Sequence, residues 1–328
     1  VDRGGLVSNF NGFVVGGAPG ANYNSLIIAD GSRLISYGAS SGFQVGCSNA
    51  AGIQGGGNNT AFLSNSVLLT AGASFVGSGS SNNTLSLLGN TRASLGAVTV
   101  GYGAASNNAL IVDNSVFTNT SLTIGNGFTN HGNSMIVTGP GRLAVNGATV
   151  VGAGGSTNNT LSIDGGTPGG MYVTNTTTLT VGDARSGLNT LTLLNASMTV
   201  GSAVTVGGGP GAISNRIVGG AGAAFTNINV SATVPGLLVG TNAGANFNSF
   251  VVTNGGRYYM SSGAVRIGAG VVNATGAAIA GGGNNTVILS NSFLNIYGGN
   301  LSFVPDVTWI GYGSSNNTFS ILGDSEVY

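Results

Sequence analysis

The sequence predicts an all-β chain wound into a right-handed parallel β-helix, a β-solenoid of about a dozen coils of roughly 24–30 residues each. Three observations carry this. A phrase of the form V-G-x-G…N-N-T-L-x-L returns along the whole chain, as VGSGSSNNTLSLL at 76–88, VGYGAASNNALIV at 100–112, VGAGGSTNNTLSI at 151–163 and IGYGSSNNTFSIL at 310–322. Apolar residues alternate with polar ones at a spacing of two, the period of a strand with one buried face. Glycine supplies 61 of 328 residues, far too many for helices, in which each costs about 1 kcal/mol against alanine.

The stretch 82–106 defines one coil. In NNTLSLL, Leu85 and Leu87 point one way and Ser86 the other. Gly89, Asn90 and Thr91 then turn the chain. A middle extended piece carries Leu95, and Val98-Thr99-Val100 alternates again before GYG leads to the next N-N. Three short strands and three turns make a rung, stacked at about 4.8 Å on its neighbours. The inward positions of the first strand recur in register as Leu85/Leu87, Leu110/Val112, Leu161/Ile163, Leu191/Leu193 and Phe319/Ile321. Each large side chain contributes about 1.5–3 kcal/mol on burial, but only where neighbouring coils cover it. An antiparallel sandwich is the rival fold; it gives no reason for one tripeptide to return at one phase.

The asparagines that open the first strand, Asn58, Asn82, Asn107, Asn158, Asn284 and Asn316, are expected to form an amide ladder along the axis, as stacked identical asparagines do in cross-β structures. Several of the same triplets also match the N-glycosylation sequon. Residues 1–328 read as a single continuous solenoid, in which 15–90 and 239–324 are copies of a longer repeat of about 224–234 residues. GANYNS at 20–25 returns as GANFNS at 244–249, and GGGNNT at 55–60 returns at 281–286. Both copies carry a widened turn, 47–57 and 269–283, expected to project as a loop.

Eight arginines, seven aspartates and one glutamate leave no net charge, and there is no lysine. A scatter of eight arginines is poor equipment for displacing counterions from nucleic acid, so none is expected as a partner. No run of 18 apolar residues exists, so no transmembrane helix is expected in this segment. Cys47 is the single cysteine and cannot form an intrachain disulfide. His131 is the single histidine, which excludes a multi-histidine metal site. Asp30, Asp113, Asp164 and Asp324 fall just after first strands, where Asn90, Asn195 and Asn254 stand in other coils, and read as turn residues rather than paired catalytic carboxylates. No catalytic residue, cofactor or metal is expected, and the chain reads as a non-enzyme. Tyr102 and Tyr312, in identical G-Y-G turns, are candidates for stacking on sugar rings.

VGYGAASNNALIV, IVTGPGRLAVNGATVVGAG and IGYGSSNNTFSIL resemble the β-strand repeats of bacterial autotransporter passengers and related giant secreted surface proteins. The resemblance spans nearly the whole chain. It implies an extracellular or surface-displayed bacterial β-helix acting as a stalk, filament or matrix component, or as an adhesin that binds surface glycans. The chain opens with a valine, without a signal-peptide pattern, and is expected to be a processed product or a piece of something longer. It opens with the turn, middle stretch and V-G strand that its last coil lacks. Two expectations follow: head-to-tail stacking of copies into a homopolymer, or continuation of one longer array.

Overall fold

A computed structural model describes residues 3–38, 42–47, 54–228, 235–261, 264–272, 278–296 and 308–328. The chain is a parallel β-helix. Each rung has a first strand, a middle strand and a V-G strand, and each pairs in parallel with its counterparts in the rungs before and after. Thus Leu85 lies beside Leu110 and Leu87 beside Val112, Leu110 beside Met135, and Met135 beside Leu161. Among the described residues, first strands form one sheet of eleven, and the middle and V-G strands form a second of 21. The second is continuous because Arg92–Tyr102 and Val116–Asn126 each run through the corner between middle and V-G strands without a break. Among the described strands, the single antiparallel pair is Ala269–Val272 with Ala278–Ala280.

The core is one column of apolar side chains along the axis. Leu85, Leu87, Leu110, Val112, Leu161, Ile163, Leu191 and Leu193 are buried against the inward residues of the other two strands, such as Phe117, Leu143, Val100 and Ile124. Phe319 is partly buried and Ile321 is 50% exposed, because their rung has a neighbour on one side only. Where Gly219 stands in place of a large inward residue, a Cβ would come within 2.9 Å of the Phe225 ring. That space admits the buried cluster of Phe225, Phe250 and Tyr258, whose ring centroids lie 5.0–6.3 Å apart.

Rungs are more variable in length than the 24–30 residues expected. Successive ladder asparagines are separated by 24 residues at the tightest and 37 at the widest. The extra length is spent in turns, where it leaves the strand register untouched. Both widened turns leave at the same point, just after a V-G strand. In the first, Cys47 bridges antiparallel to Gln54; in the second, the Ala269–Val272 and Ala278–Ala280 pair forms a hairpin. Their tips, 48–53 and 273–277, lie outside the described residues. Gly57 N–H donates to Asn22 Oδ1 at 2.7 Å and Gly283 N–H to Asn246 Oδ1 at 2.8 Å, so the two GGGNNT segments sit in the same backbone setting.

Candidate functional site

The most ordered polar feature is a spine of asparagine amides inside the turn before the first strand, buried from Asn59 to Asn285 and open to solvent at Asn24. From Asn24 through Asn59, Asn83, Asn108, Asn133, Asn159, Asn189, Asn215, Asn248 and Asn285 to Asn317, each Nδ2 donates to Oδ1 of the next at 2.9–3.1 Å. The same Oδ1 accepts the backbone N–H of the preceding asparagine, as from Asn108 to Asn133 at 3.0 Å. In every ladder asparagine but Asn159 the second Nδ2 hydrogen goes to a turn, for example from Asn59 to Gly56 O at 2.8 Å and from Asn108 to Ser80 O at 3.0 Å. Buried amides are tolerated only when satisfied in this way.

The ladder is therefore one residue further along than expected. Asn58, Asn82, Asn107, Asn158, Asn284 and Asn316 lie outside it and take left-handed backbone, with φ of 54–60°. A shift of one residue exchanges the inward and outward faces, and asparagine tolerates left-handed backbone better than most residues. Tyr23, Leu188, Ser214 and Phe247 hold the same position in other rungs at φ of 58–60°, so the geometry belongs to the turn rather than to asparagine.

The glycine of each V-G pair answers to the ladder. Gly101 has φ of 77°, and a Cβ there would fall 2.3 Å from Cγ of Asn133. The same holds for Gly77 against Asn108, Gly125 against Asn159, Gly152 against Asn189 and Gly182 against Asn215, at 2.1–2.3 Å. The repeated phrase V-G…N-N is the imprint of this fit between one rung and another.

On the lateral surface the predicted residues are dispersed. The Tyr102 ring packs edge-on against Phe75, with centroids 5.7 Å apart. Tyr312 is 45% exposed and lies against Trp309 at 5.1 Å, with the Arg266 guanidinium 5.5 Å over the indole. The two tyrosines thus cover neighbouring aromatic rings and do not converge on one site. Asp113 accepts from Thr138 Oγ1 at 2.6 Å, and Asp164 accepts from Gly166 N at 2.9 Å and Asn195 Nδ2 at 3.0 Å. His131 is exposed, with Nδ1 3.3 Å from Thr129 O. Cys47 is buried, and burial pushes its thiol up from the ordinary value. Among the described residues no three His, Cys, Asp or Glu side chains gather in a way that could hold a metal ion.

One cleft brings polar and aromatic groups together that the sequence did not flag. It is lined by Arg257, Tyr259, Asn291, Phe293, Asp324 and Glu326. Tyr259, Phe293 and Tyr328 follow one another at centroid spacings of 5.5 Å. Tyr328 donates its hydroxyl to Glu326 Oε2 at 3.1 Å, and that bond raises the phenol's pKa. No helix in the described residues is long and apolar enough to cross a membrane. Comparison with family models, with curated proteins and with solved structures finds no match to this chain.

Proposed function

We propose that this chain is a structural building block of an extracellular, cell-surface filament or matrix of bacterial origin. The observation that supports the reading is the unbroken amide spine from Asn24 to Asn317. It runs through a core that repeats rung after rung without a change of plan. Such a body is stiff along its axis, because bending it stretches backbone ladders and side-chain ladder together. Its nearly charge-free exterior suits close stacking, since like charges on adjacent rungs would stand only about 5 Å apart. In this reading the partner of a rung is always another rung, supplied by a longer array or by a second copy of the chain.

Electron microscopy of native material, with its power spectrum, tests the proposal. Long filaments with a layer line near 4.8 Å along the axis are expected. Discrete short rods under all conditions would overturn the polymer role.

A second reading, an adhesin, is favoured by the paired loops that leave equivalent points of the two long-repeat copies, one closed by the Cys47–Gln54 bridge and the other by the Ala269–Val272 and Ala278–Ala280 pair. Deleting both loops should abolish adhesion to glycan-coated surfaces while the rod stays folded. Unchanged adhesion would remove that reading.

A further inference from the structure

Half of the arginines share one column. At the first position of the middle strand the register runs Arg33, Val67, Arg92, Val116, Arg142, Tyr172, then Ser197, Ala224, Arg257 and Phe293. Arg33, Arg92 and Arg142 fall on alternate rungs with Val67 and Val116 between them. Arg257 stands four rungs beyond Arg142, past Tyr172, Ser197 and Ala224, and Glu326 follows Phe293 in the same column. Arg33, Arg92, Arg142 and Arg257 are all exposed. Among the described residues none of the four makes an ion pair or a side-chain hydrogen bond. From Arg33 to Arg142 guanidinium-bearing rungs therefore recur about every 9.6 Å along the track, twice the rung spacing. Repulsion between like charges explains why neighbouring rungs are skipped. It does not explain why four arginines use this column when several outward columns exist.

From this column we infer a binding track for a linear acidic polysaccharide that carries one anionic group per disaccharide. The two-rung step is about the length of a disaccharide in an extended chain. Guanidinium forks take carboxylate or sulfate oxygens in pairs. Val116, 37% exposed, and Tyr172, 65% exposed, offer apolar surface to the C–H faces of the intervening sugars. Asn65 and Asn90, exposed at the turn two residues before Val67 and Arg92, place amides beside the track for sugar hydroxyls. Four carboxylates lie close by: Asp30, three residues before Arg33, Asp113, engaged by Thr138 and Asn114, and Asp324 and Glu326, which share the cleft of Arg257 at the far end of the column. The track is thus sparsely cationic, which suits a polymer of sparse charge. It does not suit duplex DNA, with one charge per about 1.7 Å. The inference extends beyond the structural role and holds whether the rod is a filament or an adhesin.

The test is binding of hyaluronan oligosaccharides, which carry a carboxylate on every second sugar, to the intact chain at low and at physiological salt. Neutral dextran and duplex DNA serve as comparisons. Hyaluronan should bind, dextran should not, and DNA should bind more weakly than hyaluronan. The double variant Arg92→Gln/Arg142→Gln should lose at least about tenfold in affinity, the scale of one lost charge-assisted contact. Arg185→Gln/Arg216→Gln removes the same charge away from the column and should bind as the parent does. Thermal melting confirms that each variant is folded. No hyaluronan binding, equal losses in the two double variants, or tighter binding of DNA would each overturn the inference.

Discussion

Gly101 and Asn133 are fitted to one another across rungs: the hydrogen that glycine has in place of a side chain leaves the space that the Asn133 amide fills. Gly103, two residues on, also has positive φ, at 66°, but a Cβ there would meet nothing within 4 Å. The two glycines separate backbone strain from steric fit. Gly103→Ala should cost about 1–2 kcal/mol, the left-handed penalty alone. Gly101→Ala should cost that and about 1–3 kcal/mol more for overpacking. Shifts in urea midpoint measure both; equal shifts would deny the fit.

Asn133→Ala removes the acceptor of two buried donors, the N–H and Nδ2 of Asn108. At about 1–3 kcal/mol for each stranded group, the loss should be about 2–6 kcal/mol. Asn107→Ala, one residue before the ladder and exposed, should cost about 1–2 kcal/mol for alanine in left-handed backbone. Equal losses for Asn107→Ala and Asn133→Ala would place the ladder wrongly. Combined with Gly101→Ala, Asn133→Ala should be less than additive, because the methyl then has room.

Leu188 and Phe247 hold left-handed backbone at φ of 58° while 60% and 57% exposed. They carry the strain without the packing that would offset it. Replacing either with asparagine should raise stability by about 0.5–1 kcal/mol, read as a higher melting temperature. A lower one would show that these side chains are held by contacts on the surface.

Tyr258 is buried, and loss of water pushes its phenol far above the ordinary range, only partly countered by the nearby Asn227 amide. Below pH about 10 both folded and unfolded chains keep that proton, so it adds no pH dependence. Above it the unfolded phenol ionises while the folded one does not. The unfolded state then binds fewer protons, and stability should fall as pH rises, by up to about 1.4 kcal/mol per unit. Tyr258→Phe should flatten that limb of the curve; an unchanged slope would contradict the assignment.

The architecture was legible because its signals are local and repeated. Leu85, Leu87 and their counterparts alternate at the strand period, and the phrase returns in phase. The ladder was misplaced because both asparagines of an N-N pair suit a turn. The signal that resolves them lies in the irregular copies, where Tyr23-Asn24, Gly132-Asn133, Leu188-Asn189, Ser214-Asn215 and Phe247-Asn248 keep only the second asparagine. The arginine column was hidden for a different reason. Arg33, Arg92 and Arg142 are unevenly spaced in sequence because turns of different length separate them, and strand register alone brings them into line.

All ten links of the amide spine run in one sense, with the donor in the earlier rung and the acceptor in the later one. Their dipoles add, and each bond polarises the next. A rod built this way is a vector, with two electrically unlike ends in the manner of a helix. Any assembly that prolongs the spine must be unipolar. Mirror-image junctions would set carbonyl against carbonyl or N–H against N–H, so growth at the two ends would proceed by different steps and at different rates.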